Sequence, residues 1–151
     1  MTGEEFLHFV GTLYGMDEKS RREAIPQFLH IFNLSGMAAD YFEDYSRGNK
    51  QKFSILAAML HSPKLLLIDE PIVGLDPTSA EIAKKEFQKF ASAGGAVLLV
   101  THTLSVAHEI SHRIGVLAGG KLVGVGTFEE LSHHAKVSGN ATLEDIYHAL
   151  T

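Results

Sequence analysis

The sequence predicts an α/β fold: an all-helical segment over residues 1–62, then a partial core with parallel strands over 63–151. Three observations carry that prediction. Apolar residues recur at helical period before Pro63. Two short apolar runs, 64–68 and 96–101, follow it. A helix-length segment opened by Asp76-Pro77 lies between those runs. A strand, a crossover helix and a second buried strand form the repeating unit of a parallel sheet.

Thr2 and Glu5 have capping-box spacing. Phe6, Phe9, Val10 and Leu13 then recur at helical period, and Gly15 ends the run. A second helix covers part of Ser20 to Phe32, with Ile25, Phe28, Leu29 and Phe32 on one face. Pro26 is expected in its first turn or at a kink. A third helix spans about Asn49 to His61, with Phe53, Leu56, Ala57 and Leu60 inward, and Ser62-Pro63 ends it.

Lys64 to Ile68 reads as a strand with both faces covered, closing on Asp69-Glu70-Pro71. Asp76 as N-cap and Pro77 at the first position open a helix that runs to Ala93 and stops at Gly94. Ala96 to Thr101 is the second buried strand, followed by His102. A short helix is expected over Leu104 to His112. Arg113 to Ala118 and Lys121 to Val125 read as a hairpin turned on Gly119-Gly120. Thr127 and Glu130 cap a further helix, and Thr142 starts the last.

The 151 residues are 45% hydrophobic and 21% charged, which excludes wholesale disorder. No cysteine is present, which excludes a disulfide framework and thiolate metal sites and fits a reducing compartment. A net charge of −5 argues against a basic nucleic-acid surface or a polybasic membrane anchor, so no nucleic-acid partner is expected. The longest apolar runs, Ser54 to Leu60 and Ala96 to Val100, fall far short of the roughly 20 residues that span a bilayer. Met1-Thr-Gly-Glu-Glu shows no secretory pattern.

The chemistry concentrates at Asp69 and Glu70. They close a buried strand at its carboxyl end, where open α/β sheets bind ligands. Adjacent strand residues point opposite ways, so the two acids are expected to do different jobs. One suits a hydrated magnesium ion; the other can orient or deprotonate an attacking water. The plain alternative is an acidic strand end meeting water.

The neighbours favour the chemical reading. Gly74-Leu75-Asp76-Pro77 follows the acids, Val100-Thr101-His102 ends the next strand, and Tyr45-Ser46-Arg47-Gly48-Asn49 precedes the helix leading to the acid strand. Together these resemble the ATPase subunits of ATP-binding-cassette (ABC) transporters, and the likeness covers essentially the whole chain. Thr2-Gly3-Glu4-Glu5-Phe6 and Leu143-Glu144-Asp145-Ile146-Tyr147 resemble the drug- and polysaccharide-export branch. The resemblance implies a partial P-loop NTPase (RecA-like) core and ATP with Mg2+ as cofactors. It implies that Asp69 holds magnesium through water, that Glu70 is catalytic and polarises the attacking water, and that His102 contacts the γ-phosphate. Ser46, Arg47, Gly48 and Asn49 match the signature, which faces the nucleotide of a second ATPase domain in a sandwich dimer. Gly74, Leu75 and Asp76 match the D-loop, which couples the two sites. A membrane permease is the implied further partner, with the subunit cytoplasmic and peripheral on the membrane. Among the helical-segment aromatics Phe6, Phe9, Phe28, Phe32, Tyr41 and Phe42, packing is the first expectation and permease contact the second.

Two residues depart from the family pattern. Arg47 stands where glycine is usual, so its side chain either crowds the phosphates or helps hold them. Asn49 replaces the usual glutamine or methionine. A larger departure is that no Gly-x-x-x-x-Gly-Lys-Ser/Thr occurs in the 151 residues. Gly115 and Gly120-Lys121 imitate it, but Leu122 stands where Ser or Thr must bind magnesium, and the segment reads as a hairpin. The chain is therefore expected to resemble the C-terminal part of an ATPase domain: a fragment inactive alone, needing an N-terminal P-loop segment as a partner. Apolar edges at Ala96 to Thr101 and near Arg113 to Ala118 are expected to be unpaired, with poor solubility in isolation.

Two rival classes remain. His108-Glu109-Ile110-Ser111-His112 matches the zinc-protease pattern His-Glu-x-x-His on an expected helix, although a metzincin third ligand would fall on Ala118. A non-catalytic module offering Ser46 in trans to a partner ATPase domain is the other. Histidines 8, 30, 61, 133, 134 and 148 form no evident ligand set.

Overall fold

A computed structural model describes residues 1–137 and 139–151. The chain divides into two compact units, Met1–Val100 and Thr101–Thr151.

The first unit opens with α1 (Gly3–Leu13), α2 (Glu18–Ile31) and α3 (Arg47–Leu60), with 3-10 turns at Ser35–Met37 and Phe42–Asp44 between the last two. Thr2 and Glu5 form the expected capping box. The buried line of α1 is Gly3, Leu7 and Gly11, while Phe9 and Leu13 face outward. The glycines permit close approach: a Cβ on Gly3 would sit 2.5 Å from the Phe53 ring, and one on Gly11 would sit 2.8 Å from the Arg21 stem. Asp17 caps α2, so Pro26 falls in the helix middle rather than its first turn, at the loss of one backbone hydrogen bond. Phe53, Leu56, Ala57 and Leu60 of α3 are buried as expected, together with Ile55 and Met59. Phe53 stacks on Tyr45 with ring centroids 4.9 Å apart and meets Phe42 edge-on at 5.9 Å. The Tyr45 hydroxyl donates to the Met37 carbonyl.

β1 (Leu65–Asp69) and β2 (Ala96–Val100) pair in parallel, with Asp69 opposite Val100, and α4 (Pro77–Ser92) links them. α4 packs on β2, burying Ala83 and Phe87. Leu66 is buried, but the residues in register on the opposite face are not: Leu65 is 51% exposed, Leu67 69%, Leu98 58% and Val100 56%. The expectation that β1 is covered on both faces is therefore corrected. The alternation of the pleat sends every second apolar residue away from α4, and those residues stay in contact with solvent.

The second unit comprises α5 (Leu104–Ile110), the antiparallel hairpin β3 (Ile114–Ala118) and β4 (Lys121–Gly126), α6 (Phe128–His134) and α7 (Leu143–Leu150). Gly119 and Gly120 both have positive φ, the backbone a two-residue primed turn needs. Capping boxes at Thr127/Glu130 and Thr142/Asp145 start α6 and α7. Val116, Leu131, Leu143 and Ile146 form this unit's core. Among the described residues each sheet has two strands. No helix of the described residues is long and apolar enough to cross a membrane.

Candidate functional site

The acid pair sits where β1 ends. Asp69 is the last strand residue, exposed on the same face as Leu65 and Leu67. Glu70 follows, half-buried, with φ of +46°. That left-handed conformation disfavours a residue with a Cβ. The Glu70 N–H donates to the Val100 carbonyl at 2.9 Å, which extends the sheet ladder one residue beyond the strand. The left-handed turn then directs the chain off the sheet edge into Pro71. Strain of this kind persists only where the surroundings hold it and concentrates at functional positions.

The loop from Pro71 to Asp76 turns twice: Val73 N–H bonds to the Glu70 carbonyl at 3.3 Å and Leu75 N–H to the Ile72 carbonyl at 3.2 Å. Gly74 has φ of +85°, which glycine adopts without penalty. Asp76 ends the loop as the N-cap of α4. It accepts from Ser79 N at 3.0 Å and from Ser79 Oγ at 2.6 Å. Lys52 Nζ lies 3.2 Å from its second oxygen. The Ser79 hydroxyl and amide, and after them Lys52, hold the Asp76 carboxyl well below the usual carboxylate range.

Ser46 caps α3 by accepting from Asn49 N at 3.2 Å. The first turn of α3 lies against the 71–76 loop. A Cβ on Gly48 would sit 2.8 Å from the Gly74 carbonyl oxygen. Arg47 side-chain atoms run 3.7–3.9 Å from where a Gly74 Cβ would be, so the stem of Arg47 lies along the loop. Gln51 Nε2 donates to the Pro71 carbonyl at 3.2 Å. Ser46, Arg47, Gly48 and Asn49 and Gly74, Leu75 and Asp76 thus come from two stretches that touch. Gln51 and Lys52 complete the contact and were not singled out from the sequence. Their spacing of three and four residues from Gly48 puts them on Gly48's helix face, and that spacing is the signal that finds them.

His102 is exposed and belongs to the second unit, two residues after Val100 in the chain. The next residue folds back locally: Thr103 N–H donates to Thr101 Oγ1 at 3.1 Å before α5 begins. The expected helix to His112 ends at Ile110, and Ser111 is already extended. The approach to β3 requires extended chain there. His108 and His112 therefore do not share a helix face, and the His108 ring packs edge-on against Phe128 at 4.5 Å. The segment carrying Gly115, Gly120 and Lys121 is a hairpin.

Among the described residues no group of three or more His, Cys, Asp or Glu could hold a metal ion. Two adjacent carboxylates do not make a protein-only cage of the kind zinc or calcium takes. They fit magnesium, which binds one or two carboxylates and completes its shell with water and phosphate oxygens.

Comparisons with known proteins bear on the family and the fold. The family described as "AAA domain, putative AbiEii toxin, Type IV TA system" matches residues 12–107. The chain is 30% identical over 131 residues to the linearmycin resistance ATP-binding protein LnrL of Bacillus subtilis (strain 168), covering 87% of this chain and 42% of that protein. It is 30% identical over 151 residues to the ABC-type transporter ATP-binding protein EcsA of the same organism, covering 100% of this chain and 61% of that one. A solved structure of the ATP binding subunit of an ABC transporter matches with a TM-score of 0.93 and 30% identity, over 99% of this chain and 62% of that one. The chain spans about half the length of the curated relatives it matches. Parallel strands joined by a helix and these likenesses lead to one assignment: the chain belongs to the AAA-domain family whose model matches residues 12–107, and it is similar to ATP-binding proteins of ABC transporters.

Proposed function

We propose that these residues form the signature-bearing, water-activating portion of an ABC transporter's ATPase domain, divided into a helical subdomain over 1–62 and the distal half of the nucleotide core over 63–151. The observation that carries the reading is Glu70: a non-glycine residue in a left-handed conformation, pinned by its own N–H to Val100, directly after a strand-end aspartate. Asp69 would hold Mg2+ through water, and the metal, when bound with ATP, would neutralise charge on the phosphates. Glu70 accepts a proton from the attacking water and orients it. His102 supplies an imidazole for the γ-phosphate. Ser46, Arg47, Gly48 and Asn49 offer a hydroxyl, a guanidinium and helix-start amides to the nucleotide of a second ATPase domain. Gly74, Leu75 and Asp76 meet that second domain.

No residue here does the work of a P-loop, so a P-loop-bearing segment is the partner that completes the site. A membrane permease on the cytoplasmic side is the partner that receives the mechanical output. The bare face of Leu65, Leu67, Leu98 and Val100 supports the need for a covering segment.

The test is ATP hydrolysis by the 151 residues alone and after co-expression with the P-loop-bearing half of a close relative. We expect none alone, hydrolysis from the complemented domain, and loss of hydrolysis with retained ATP binding in Glu70→Gln. Hydrolysis by the chain alone, or full activity of complemented Glu70→Gln, overturns the reading. Nucleotide binding without hydrolysis even when complemented points instead to a non-catalytic module that offers Ser46 in trans.

A further inference from the structure

Four residues in the first two turns of α3 fasten the 71–76 loop, and they are not equivalent. Arg47 and Gly48 meet Gly74 by close packing, and Gln51 makes a neutral hydrogen bond to Pro71. Lys52 pairs its ammonium with a carboxylate that α4 already uses as its cap. Asp76 is consequently shared: Ser79 holds it from one helix and Lys52 from another. The Lys52 side chain is only 13% exposed, so its stem is packed and its ammonium has little freedom to leave. Most of the entropy usually lost when a lysine forms an ion pair is thus already lost to packing.

We propose that Lys52 is a positioning residue: it ties Asp76 and the 71–76 loop to the helix that carries Ser46, so that the two stretches move as one body. The inference rests on the function proposed above, in which both stretches face a second ATPase domain. Its consequence is mechanical. Force applied to Ser46 or Arg47 by a nucleotide across an interface reaches Asp76 through one ion pair and two close contacts. The loop then follows the helix instead of hinging at Gly74, whose backbone would otherwise be the soft point.

The experiment is hydrogen exchange followed by mass spectrometry on the full chain. Lys52→Met keeps the packed stem and removes the charge. We expect amide exchange in 72–76 to accelerate about three- to tenfold, while 53–60 in the core of α3 stays unchanged. Lys52→Arg should restore protection. A merely structural role would instead accelerate exchange across α1, α2 and α3 together. Unchanged exchange at 72–76, or a uniform rise, overturns the proposal. Asp76→Asn provides an independent check, because asparagine still caps α4 but offers no charge. It should loosen the loop similarly, and Lys52→Met should then add nothing; additive effects overturn the pairing. Loss of ATP binding by the complemented domain, with the local exchange pattern intact, would count against the functional reading instead, so the two failures are distinguishable.

Discussion

The helices of residues 1–62 and the β1–β2 pair use similar apolar side chains to opposite ends. Leu7, Ile25 and Phe53 are fully buried on helices that pack on one another, whereas Leu67 and Leu98 lie 69% and 58% exposed. An amphipathic helix has one apolar stripe, and three helices can bury their stripes against each other. A parallel strand has two apolar faces, and a single crossover helix covers one of them. The helical part thus buries one stripe of each helix, although Phe9 and Leu13 stay outside it, whereas the sheet leaves a whole apolar face in contact with solvent.

The largest effect that would break this contrast is at Phe53. Phe53→Ala removes a ring with no exposed surface from between Tyr45 and Phe42, and should destabilise the first unit by about 3–5 kcal/mol in urea denaturation. A loss below about 1 kcal/mol would show that the helices do not hold themselves together as described. Next is Gly48→Ala. The added methyl would sit 2.8 Å from the Gly74 carbonyl oxygen, so either the helix or the loop must shift, at about 1–3 kcal/mol. Wild-type stability in that variant would show a looser junction.

Acid sharpens the comparison further. The Asp76 carboxyl lies below its ordinary range in the folded chain because Ser79 and then Lys52 favour its ionised form. Its stabilising effect is complete above the unfolded value of about 3.9 and is lost as pH falls through the lower folded value. Asp76→Asn should therefore flatten the loss of stability between about pH 4 and pH 2. Parallel acid-denaturation curves for the two proteins would contradict this. The smallest expected change is on the bare sheet face. Leu67→Ser and Leu98→Ser should each alter stability by about 0.5 kcal/mol or less while raising the solubility limit of the chain alone. A large destabilisation would mean that this face is already packed.

Local signals made much of the fold legible. Thr2 with Glu5, Thr127 with Glu130, Thr142, Asp76-Pro77 and Gly119-Gly120 each act within a few residues, and each starts or turns the element expected of it. Other features answer to distant residues and were not legible. The Gly3–Leu7–Gly11 line of α1 depends on what Phe53 and Arg21 bring to it, and apolar periodicity does not count glycine. α5 stops at Ile110 because the chain must extend before β3, which ends the helical pairing of His108 with His112. For the site, the residue types were readable at Asp69, Glu70, Ser46 and Asp76. The left-handed turn at Glu70 and the clasp of Gln51 and Lys52 on the loop were not.

By itself the sequence determined the order of helices and strands, their caps, and the carboxylates placed at a strand end, because backbone hydrogen bonding and side-chain period are properties of neighbours along the chain. Only the tertiary structure decided which face of β1 remains bare, how α3 grips the 71–76 loop and what holds Asp76 ionised. Those outcomes depend on approach distances between segments some twenty or more residues apart, which no local pattern encodes.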